Sequence, residues 1–269
     1  MVQFKSVRQA PQLMKTPHPE PGDPAMPGWP GPQRRAADIQ YTTDRATDLA
    51  TDSAFHPAKQ APTMSDDVHF YQPAQGHGLP HDPFNAIVGP RPIGWIATHD
   101  GHGHRNLAPY SFFNAFNYTP PIIGFASIGH KDSVRNIERT REFSWNLVTR
   151  PLAEAMNQTC ASVPSEVDEF ELAGLTPVPS RLIGAPRVGE SPVSFECRLT
   201  QRIQLHTVDG SPVETWLTLG EVVAVHIAKA LLKDGVYDTA AAHPVLRGGG
   251  PGDYFEIAAA QMFRMTRPR

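Results

Sequence analysis

The chain has 269 residues, of which 40% are hydrophobic and 19% charged, and its formal net charge is -3. This length fits one large domain or two small ones, and one domain with an appendage is the simpler organisation. A charge so close to zero creates no broad positive field, so we expect no nucleic-acid partner. No apolar run approaches the roughly 20 residues that cross a bilayer, so we expect no membrane association and a cytoplasmic location.

The composition favours a β-rich protein. The 28 prolines and 21 glycines are typical of turns and short strands rather than long helices. The two cysteines, Cys160 and Cys197, lie in segments that resemble a helix and a strand, without metal-ligand spacing. We therefore expect two buried thiols in a reducing compartment.

The first 63 residues differ from the rest. They are rich in Pro, Ala, Asp, Thr and Gln, and their apolar residues show neither strand nor helix periodicity. The run that begins at Met64 resembles a natural protein start. The sequence thus predicts a disordered tail or a mis-assigned start over 1–63, and one domain over 64–269.

After the tail, apolar runs flanked by Gly and Pro predict strands. In the longest of them, alternate positions from Val193 to Leu199 are apolar. Gly220 interrupts the last run, where it predicts a bulge or a bend around a barrel corner. The predicted strands cover residues 86–88, 93–98, 122–127, 143–148, 193–205 and 216–227.

Helices are predicted to be few and short. Asp132 is placed to cap a helix over 133–139, and Pro151 suits the first turn of 152–156. A third helix is expected over 166–173, ended by Gly174. The order of elements lacks regular βαβ alternation, so we predict a mainly β fold, a closed antiparallel, Greek-key-like barrel with helical decorations.

No nucleophile elbow, phosphate-binding loop, dinucleotide fingerprint or zinc motif occurs in the sequence. Hydride transfer between cofactors needs none of these, because the cofactors carry the reacting atoms and the protein positions them. The histidines within 99–104 lie on a turn, where a specific metal site is not expected. An enzyme that transfers hydride between cofactors therefore need not show a catalytic triad.

Two polar segments could hold such a cofactor. Residues 106–114 mix amide, hydroxyl and aromatic groups, although an aromatic-rich core strand has the same pattern. In residues 127–136 a strand ends in a turn that leads into a helix. Its backbone amides, the hydroxyls of Ser127 and Ser133 and the ammonium of Lys131 form a candidate phosphate cradle. A plain helix cap with a solvated lysine is the alternative.

Together these segments resemble the flavin reductase-like family, whose members have an FMN-binding split barrel and include flavoredoxin-type NAD(P)H:flavin oxidoreductases. The resemblance covers roughly residues 81–257. It rests on three motifs in the family's order and spacing, which are Arg91-Pro92-Ile93-Gly94-Trp95, Asn106 to Asn114, and Lys131-Asp132-Ser133 followed by Asn136.

The resemblance implies bound FMN near the interface of a homodimer, with its phosphate toward Ser111 and Lys131 and its ring along the strand of Trp95. The C-terminal Arg247 and Tyr254 match a family pattern that closes over the flavin, although Gly250-Pro251-Gly252 widens the spacing. The FMN-binding residues that it implies are Trp95, Thr98, Asn106, Ala108, Tyr110, Ser111, Asn114, Ser127, Lys131, Ser133, Asn136, Arg247 and Tyr254.

The implied activity is reduction of FMN by NADH or NADPH, with electrons passing to free flavin, to a partner protein such as a monooxygenase, or to a small acceptor. No residue is assigned a catalytic or metal-binding role. Two alternatives stay open, an FMN-holding electron carrier with little nicotinamide reactivity and a flavin-binding module without turnover, because nicotinamide stacking on a flavin leaves no separate fingerprint.

Overall fold

The computed structural model describes residues 67–268. The predicted tail over 1–63 lies outside these residues. Within them, strands dominate and the helices are short, as the sequence predicts. None of the helices in this part of the chain has the length and apolar character needed to span a membrane.

The helices lie between strands and at their ends. Single 3-10 turns occur at Pro73–Gln75, Arg150–Leu152, Lys229–Leu231, Ala240–Ala242 and Ala259–Gln261. The α-helices are α1 (Phe84–Ile87), α2 (Asp132–Thr140), α3 (Ala153–Gln158) and α4 (Glu169–Leu172).

The strands begin just after α1. They are β1 (Arg91–Pro92), β2 (Gly94–His99), β3 (Arg105–Tyr110), β4 (Phe113–Asn117), β5 (Ile122–Ile128), β6 (Glu142–Asn146), β7 (Pro177–Val178), β8 (Arg187–Val188), β9 (Val193–His206), β10 (Pro212–Ile227), β11 (Leu232–Lys233), β12 (Val236–Tyr237), β13 (Val245–Arg247) and β14 (Tyr254–Glu256).

Seven of the strands form one antiparallel sheet in the order β3-β2-β6-β9-β10-β5-β4. The sheet curls, since β3 at one edge also contacts β5 near the other. Register shifts between β9 and β10 help it to bend, and one lies at Gly220. A Cβ at Gly220 would lie 2.5 Å from the ring of Phe143, so the close packing requires glycine. The predicted mainly β barrel, with its interruption at Gly220, is confirmed.

Both faces of β2 are buried. Ile96 packs into the barrel interior, where Phe125 and Phe143 also lie. Trp95 points to the opposite face and packs with Phe170 of α4 in a second apolar cluster. Burial of each such side chain stabilises the fold by about 1.5 to 3 kcal/mol. Double-sided burial explains why this strand is a continuous apolar run in the sequence.

Four local predictions were wrong. Residues 86–88 are not a strand, because Asp82 accepts a hydrogen bond from Phe84 N and starts α1 there (2.9 Å). Asp132 is the first residue of α2 rather than its cap, which is Lys131. The helix expected over 166–173 is only the four residues of α4. Cys160 is exposed just after α3, whereas Cys197 is buried as expected.

Candidate functional site

A cavity of about 510 Å³ lies between β3, the start of α2 and the segment that follows α3. We call it the α2 cavity. Its volume is within the range of small-molecule pockets, roughly 300 to 1,000 Å³. Five predicted site residues line it, together with residues outside the predicted set. The five are Asn106, Ala108, Tyr110, Lys131 and Ser133, and the others include His130, Thr159, Cys160 and Glu169.

A hydrogen-bonded network forms the wall behind this cavity. Asn106 Nδ2 donates to Ser133 Oγ (2.9 Å) and lies 3.4 Å from Thr98 Oγ1. Asn136 Nδ2 also donates to Thr98 Oγ1 (3.1 Å). These contacts join β2, β3 and α2, so the amide and hydroxyl groups are held in place by the fold.

Tyr110 extends the network toward β5. Its ring packs on Phe125 with centroids 4.5 Å apart, and its hydroxyl forms hydrogen bonds with Ser133 and Ser127. Burial raises the pKa of Tyr110, and the two serine hydrogen bonds only partly offset this effect. The phenol therefore stays neutral and offers a hydroxyl, not a charge, to the cavity.

The start of α2 is suited to an anion. In the described part of the chain no side chain caps the helix, and its N-cap residue, Lys131, has an extended backbone. The ammonium of Lys131 forms no ion pair within residues 67–268, whereas the neighbouring Asp132 is neutralised by Arg135 and also accepts a hydrogen bond from Ser165 (2.9 Å). Free helix amides and an unpaired ammonium at one point attract negative charge.

Glu169 is the buried acid of the α2 cavity. It is 8% exposed, and its Oε2 accepts a hydrogen bond from Leu107 N (3.0 Å). Burial raises the pKa of Glu169, and the nearby Asp132 and Asp168 raise it further. The sequence analysis missed it because Asp168-Glu169-Phe170-Glu171 resembles a solvated helix face; the one signal was its place beside the apolar Phe170.

Three of the predicted FMN-binding residues have no solvent-exposed surface. Trp95 is fully buried and donates from Nε1 to Thr159 Oγ1 (3.0 Å), a residue of the cavity wall. Thr98 and Ser127 are also fully buried. Since none of the three has an exposed atom, they cannot contact a ligand directly. They pack behind the residues that form the cavity wall.

Two other predicted residues lie away from the α2 cavity. Ser111 follows β3, and its carbonyl accepts a hydrogen bond from Arg91 Nε (3.0 Å). Asn114 lies on the edge strand β4, where its Oδ1 accepts from Ala115 N (2.8 Å). The structure therefore does not bring Ser111 and Asn114 together with the residues around Lys131.

Arg247 and Tyr254 form a unit on the C-terminal loop. The guanidinium lies 5.1 Å from the centre of the Tyr254 ring and donates to the carbonyls of Gly249 and Asp253 (2.7 and 2.8 Å). The loop lies near the α2 cavity on its Cys160 side. Although Cys160 is exposed as a residue, neighbouring atoms partly desolvate its thiol and raise the pKa of Cys160, and the charges of Arg247 and Lys131 both counter this shift.

Two of the three histidines of 99–104 pair with separate acids. His99 Nε2 lies 2.9 Å from Glu142 Oε1, and His104 Nδ1 lies 2.8 Å from Asp100 Oδ2. His130, in the α2 cavity, is held 2.9 Å from Glu138 Oε2. Over residues 67–268 no group of three or more His, Cys, Asp or Glu side chains could hold a metal ion.

Comparisons with known proteins agree on one family. The family model described as flavin reductase like domain matches residues 89–245. The uncharacterized protein BH2278 of Halalkalibacterium halodurans is 36% identical over 187 residues, which cover 66% of this chain and 86% of that protein.

Solved structures are similar over about two thirds of the chain. Nitrilotriacetate monooxygenase component B from Bacillus cereus has a TM-score of 0.63 and 31% identity, covering 68% of this chain and 90% of its own. A putative flavin reductase with a split barrel domain from Shewanella frigidimarina has a TM-score of 0.60 and 26% identity, covering 69% and 90%. The fold is thus a split barrel.

Proposed function

This chain belongs to the flavin reductase like domain family, and we propose that it binds FMN in the α2 cavity and reduces it with NADH or NADPH. The observation that carries the proposal is Lys131, which has no ion pair within residues 67–268, at the start of α2, which no side chain of these residues caps. A network of neutral hydroxyl and amide groups lies beside it. FMN combines a phosphate with a polar chain and an apolar ring, so it needs this combination of groups.

Each part of the α2 cavity suits one part of FMN. The Lys131 ammonium and the first amides of α2 suit the doubly charged phosphate. Asn106, Tyr110 and Ser133 provide neutral hydrogen-bonding groups along the wall, and Ala108 leaves room for a flat ring. We assign Thr98, Ser127 and Asn136 a supporting role, because they hold the groups that line the cavity.

Bound flavin supplies the redox chemistry, and the role of the protein is to position it and limit access of water. The pair of Arg247 and Tyr254 lies on the side where a loop could cover the ring. We further propose a homodimer with flavin near the interface, and an electron acceptor that is free flavin, a small molecule or a partner protein. The likeness to a monooxygenase component supports a monooxygenase as that partner.

Anaerobic mixing tests the reductase proposal. Purified protein loaded with FMN is mixed with NADH or with NADPH while the flavin absorbance is followed. Prompt bleaching is the expected result. Persistent colour with both nucleotides, and bleaching only by a reduced partner protein, would contradict a reductase and favour an electron carrier.

A lysine substitution tests the phosphate position. A charge-assisted hydrogen bond is worth roughly 1.5 to 3 kcal/mol, so Lys131→Ala should weaken FMN binding by about ten- to a hundredfold. Riboflavin lacks the phosphate, so its affinity should not change. Lys233→Ala, an exposed lysine of β11 outside the cavity, is the matched control. An equal loss for FMN and riboflavin, or no loss, would place the phosphate elsewhere.

A further inference from the structure

Glu169 contributes an acceptor to the α2 cavity that the phosphate site does not use. Its side chain reaches from the first residue of α4 to the edge strand β3, where Leu107 N donates to Oε2. Its own backbone N–H gives the carboxyl a second hydrogen bond. A carboxylate has about four acceptor positions, so these two donors leave part of its capacity free.

No cation of the described chain pairs with this carboxylate. The nearby arginines are engaged by other acids, because Arg105 Nε donates to Asp168 (2.6 Å) and Arg135 pairs with Asp132. The other charged groups around Glu169 are the acids Asp132 and Asp168, and the exposed Lys131 of the same cavity forms no ion pair in residues 67–268. Glu169 is therefore a buried acceptor that lines a ligand-sized space and has no cationic partner among the described residues.

The chemistry of this acceptor limits what can bind beside it. A phosphate carries the same sign of charge and would be repelled, whereas an uncharged hydroxyl can donate a hydrogen bond to the carboxylate. A flavin nucleotide carries hydroxyls on its ribityl chain, between the phosphate and the ring. The cavity thus carries two different groups, a cation at Lys131 and an acceptor at Glu169.

We propose that Glu169 binds a ribityl hydroxyl of the flavin and is the residue that selects ligands with this hydroxylated chain. The proposal rests on the proposed flavin function. It predicts how the flavin is oriented, with its phosphate at the start of α2 and its ribityl chain beside Glu169 of α4. It also gives a role to a residue outside the motifs that identify the family.

Three flavins separate the contribution of Glu169 from that of Lys131. FMN has ring, ribityl chain and phosphate; riboflavin lacks the phosphate; lumiflavin lacks the chain as well. Their dissociation constants are measured by equilibrium dialysis for the wild-type chain, Glu169→Gln, Lys131→Ala and the matched control Glu171→Gln. Glu171 lies on the same helix, and its side chain is 78% exposed.

Glu169→Gln should weaken FMN and riboflavin by the same factor, roughly tenfold, because a neutral acceptor replaces a charged one. Lumiflavin affinity should not change, and Glu171→Gln should behave as wild type. The glutamine can still accept from Leu107 N, and a cooperative melting transition within a few degrees of wild type at the pH of the assay would show that the wall is intact.

Other outcomes would overturn the proposal. An equal loss for all three flavins would mean that Glu169 only shapes the wall, and unchanged riboflavin affinity would mean that no hydroxyl contacts it. Tighter binding of FMN alone would place the phosphate beside the carboxylate. If the wild-type chain binds no flavin, the proposed function fails too; if it binds flavins and only Glu169→Gln has no effect, the flavin function stands without this contact.

Discussion

Two buried glutamates of this protein differ in how many of their carboxylate acceptor positions are occupied by hydrogen bonds. Glu196 on β9 is fully buried, and its carboxylate accepts hydrogen bonds from Arg181 N (2.8 Å), Leu182 N (2.7 Å) and His226 Nε2 (2.6 Å). Glu169 accepts from one backbone amide of another element and lines a cavity.

The difference appears in their protonation. Burial alone raises the pKa of Glu196, but the hydrogen bonds from Arg181 N, His226 and Leu182 N outweigh it and leave the pKa lowered. At Glu169 the hydrogen bonds are too few, and the pKa is raised. The two buried glutamates thus have different roles. The carboxylate of Glu196 is used in hydrogen bonds that hold the fold together, whereas the carboxylate of Glu169 keeps acceptor positions free for a ligand.

The largest expected effect is the loss of stability on Glu196→Ala. Removal of this carboxylate leaves two backbone amides and an imidazole without their acceptor, which should cost about 3 kcal/mol or more. Glu169→Ala removes the acceptor of a single inter-element amide and should cost clearly less, about 1 to 2 kcal/mol. Urea unfolding of both variants measures the difference. Equal losses would show that the two acids have the same structural weight.

A smaller effect is expected from His226→Ala. Glu196 would keep both backbone donors, so the loss should be near that of one charge-assisted hydrogen bond, about 1 to 2 kcal/mol. The same urea experiment measures it, with the exposed His104 substituted to alanine as a control. A loss as large as that of Glu196→Ala would mean that the imidazole, rather than the backbone amides, holds the carboxylate.

The smallest effect is a difference in pH dependence between wild type and Glu169→Gln. The raised pKa means that folding favours the protonated acid, so the stabilising contribution is complete below about pH 4, near the ordinary glutamate pKa, and is lost as pH rises through the folded-state pKa. Glu169→Gln has no carboxyl to titrate, so its free energy of unfolding should increase relative to that of wild type as pH rises.

Melting temperatures measured from pH 4 to 8 test this expectation. A change of 1 kcal/mol shifts the melting temperature of a domain of this size by about 2 to 4 °C, so a shift of a few degrees at most is expected. For Glu196, whose pKa is lowered, the wild-type advantage is lost as pH falls below about 4, so the comparison with Glu196→Gln is extended to about pH 2 and should show the opposite dependence. A constant offset between wild type and Glu169→Gln would contradict a raised pKa in the fold.

The sequence predicted the parts of the fold that depend on local pattern. Alternation from Val193 to Leu199 predicted β9, and the break at Gly220 predicted the bend in β10. The strand predicted over 86–88 was wrong because a short apolar run has no period that distinguishes a strand from a helix. The hydrogen bond from Phe84 N to Asp82 favours a helical turn there.

The candidate site was only partly predictable, because its remaining groups depend on tertiary contacts. The motifs located Lys131 and Ser133, which lie on one turn of α2. They could not separate exposed groups from buried supports such as Thr98 and Trp95. Glu169 was missed because its acceptor role depends on Leu107 N, 62 residues away in the chain, and no local pattern shows that contact.

The intrinsic fluorescence of the tryptophans near the α2 cavity can report whether a flavin is bound there. Trp95 is bonded through its indole N–H to Thr159, a residue of the cavity wall, and Trp216 packs edge-on against His130 with ring centres 5.1 Å apart. Trp145 packs in the core cluster of the barrel interior. Tryptophan emits where oxidised flavin absorbs, so a flavin in this cavity would quench emission from two indoles close to its wall, and occupancy could be followed without a label.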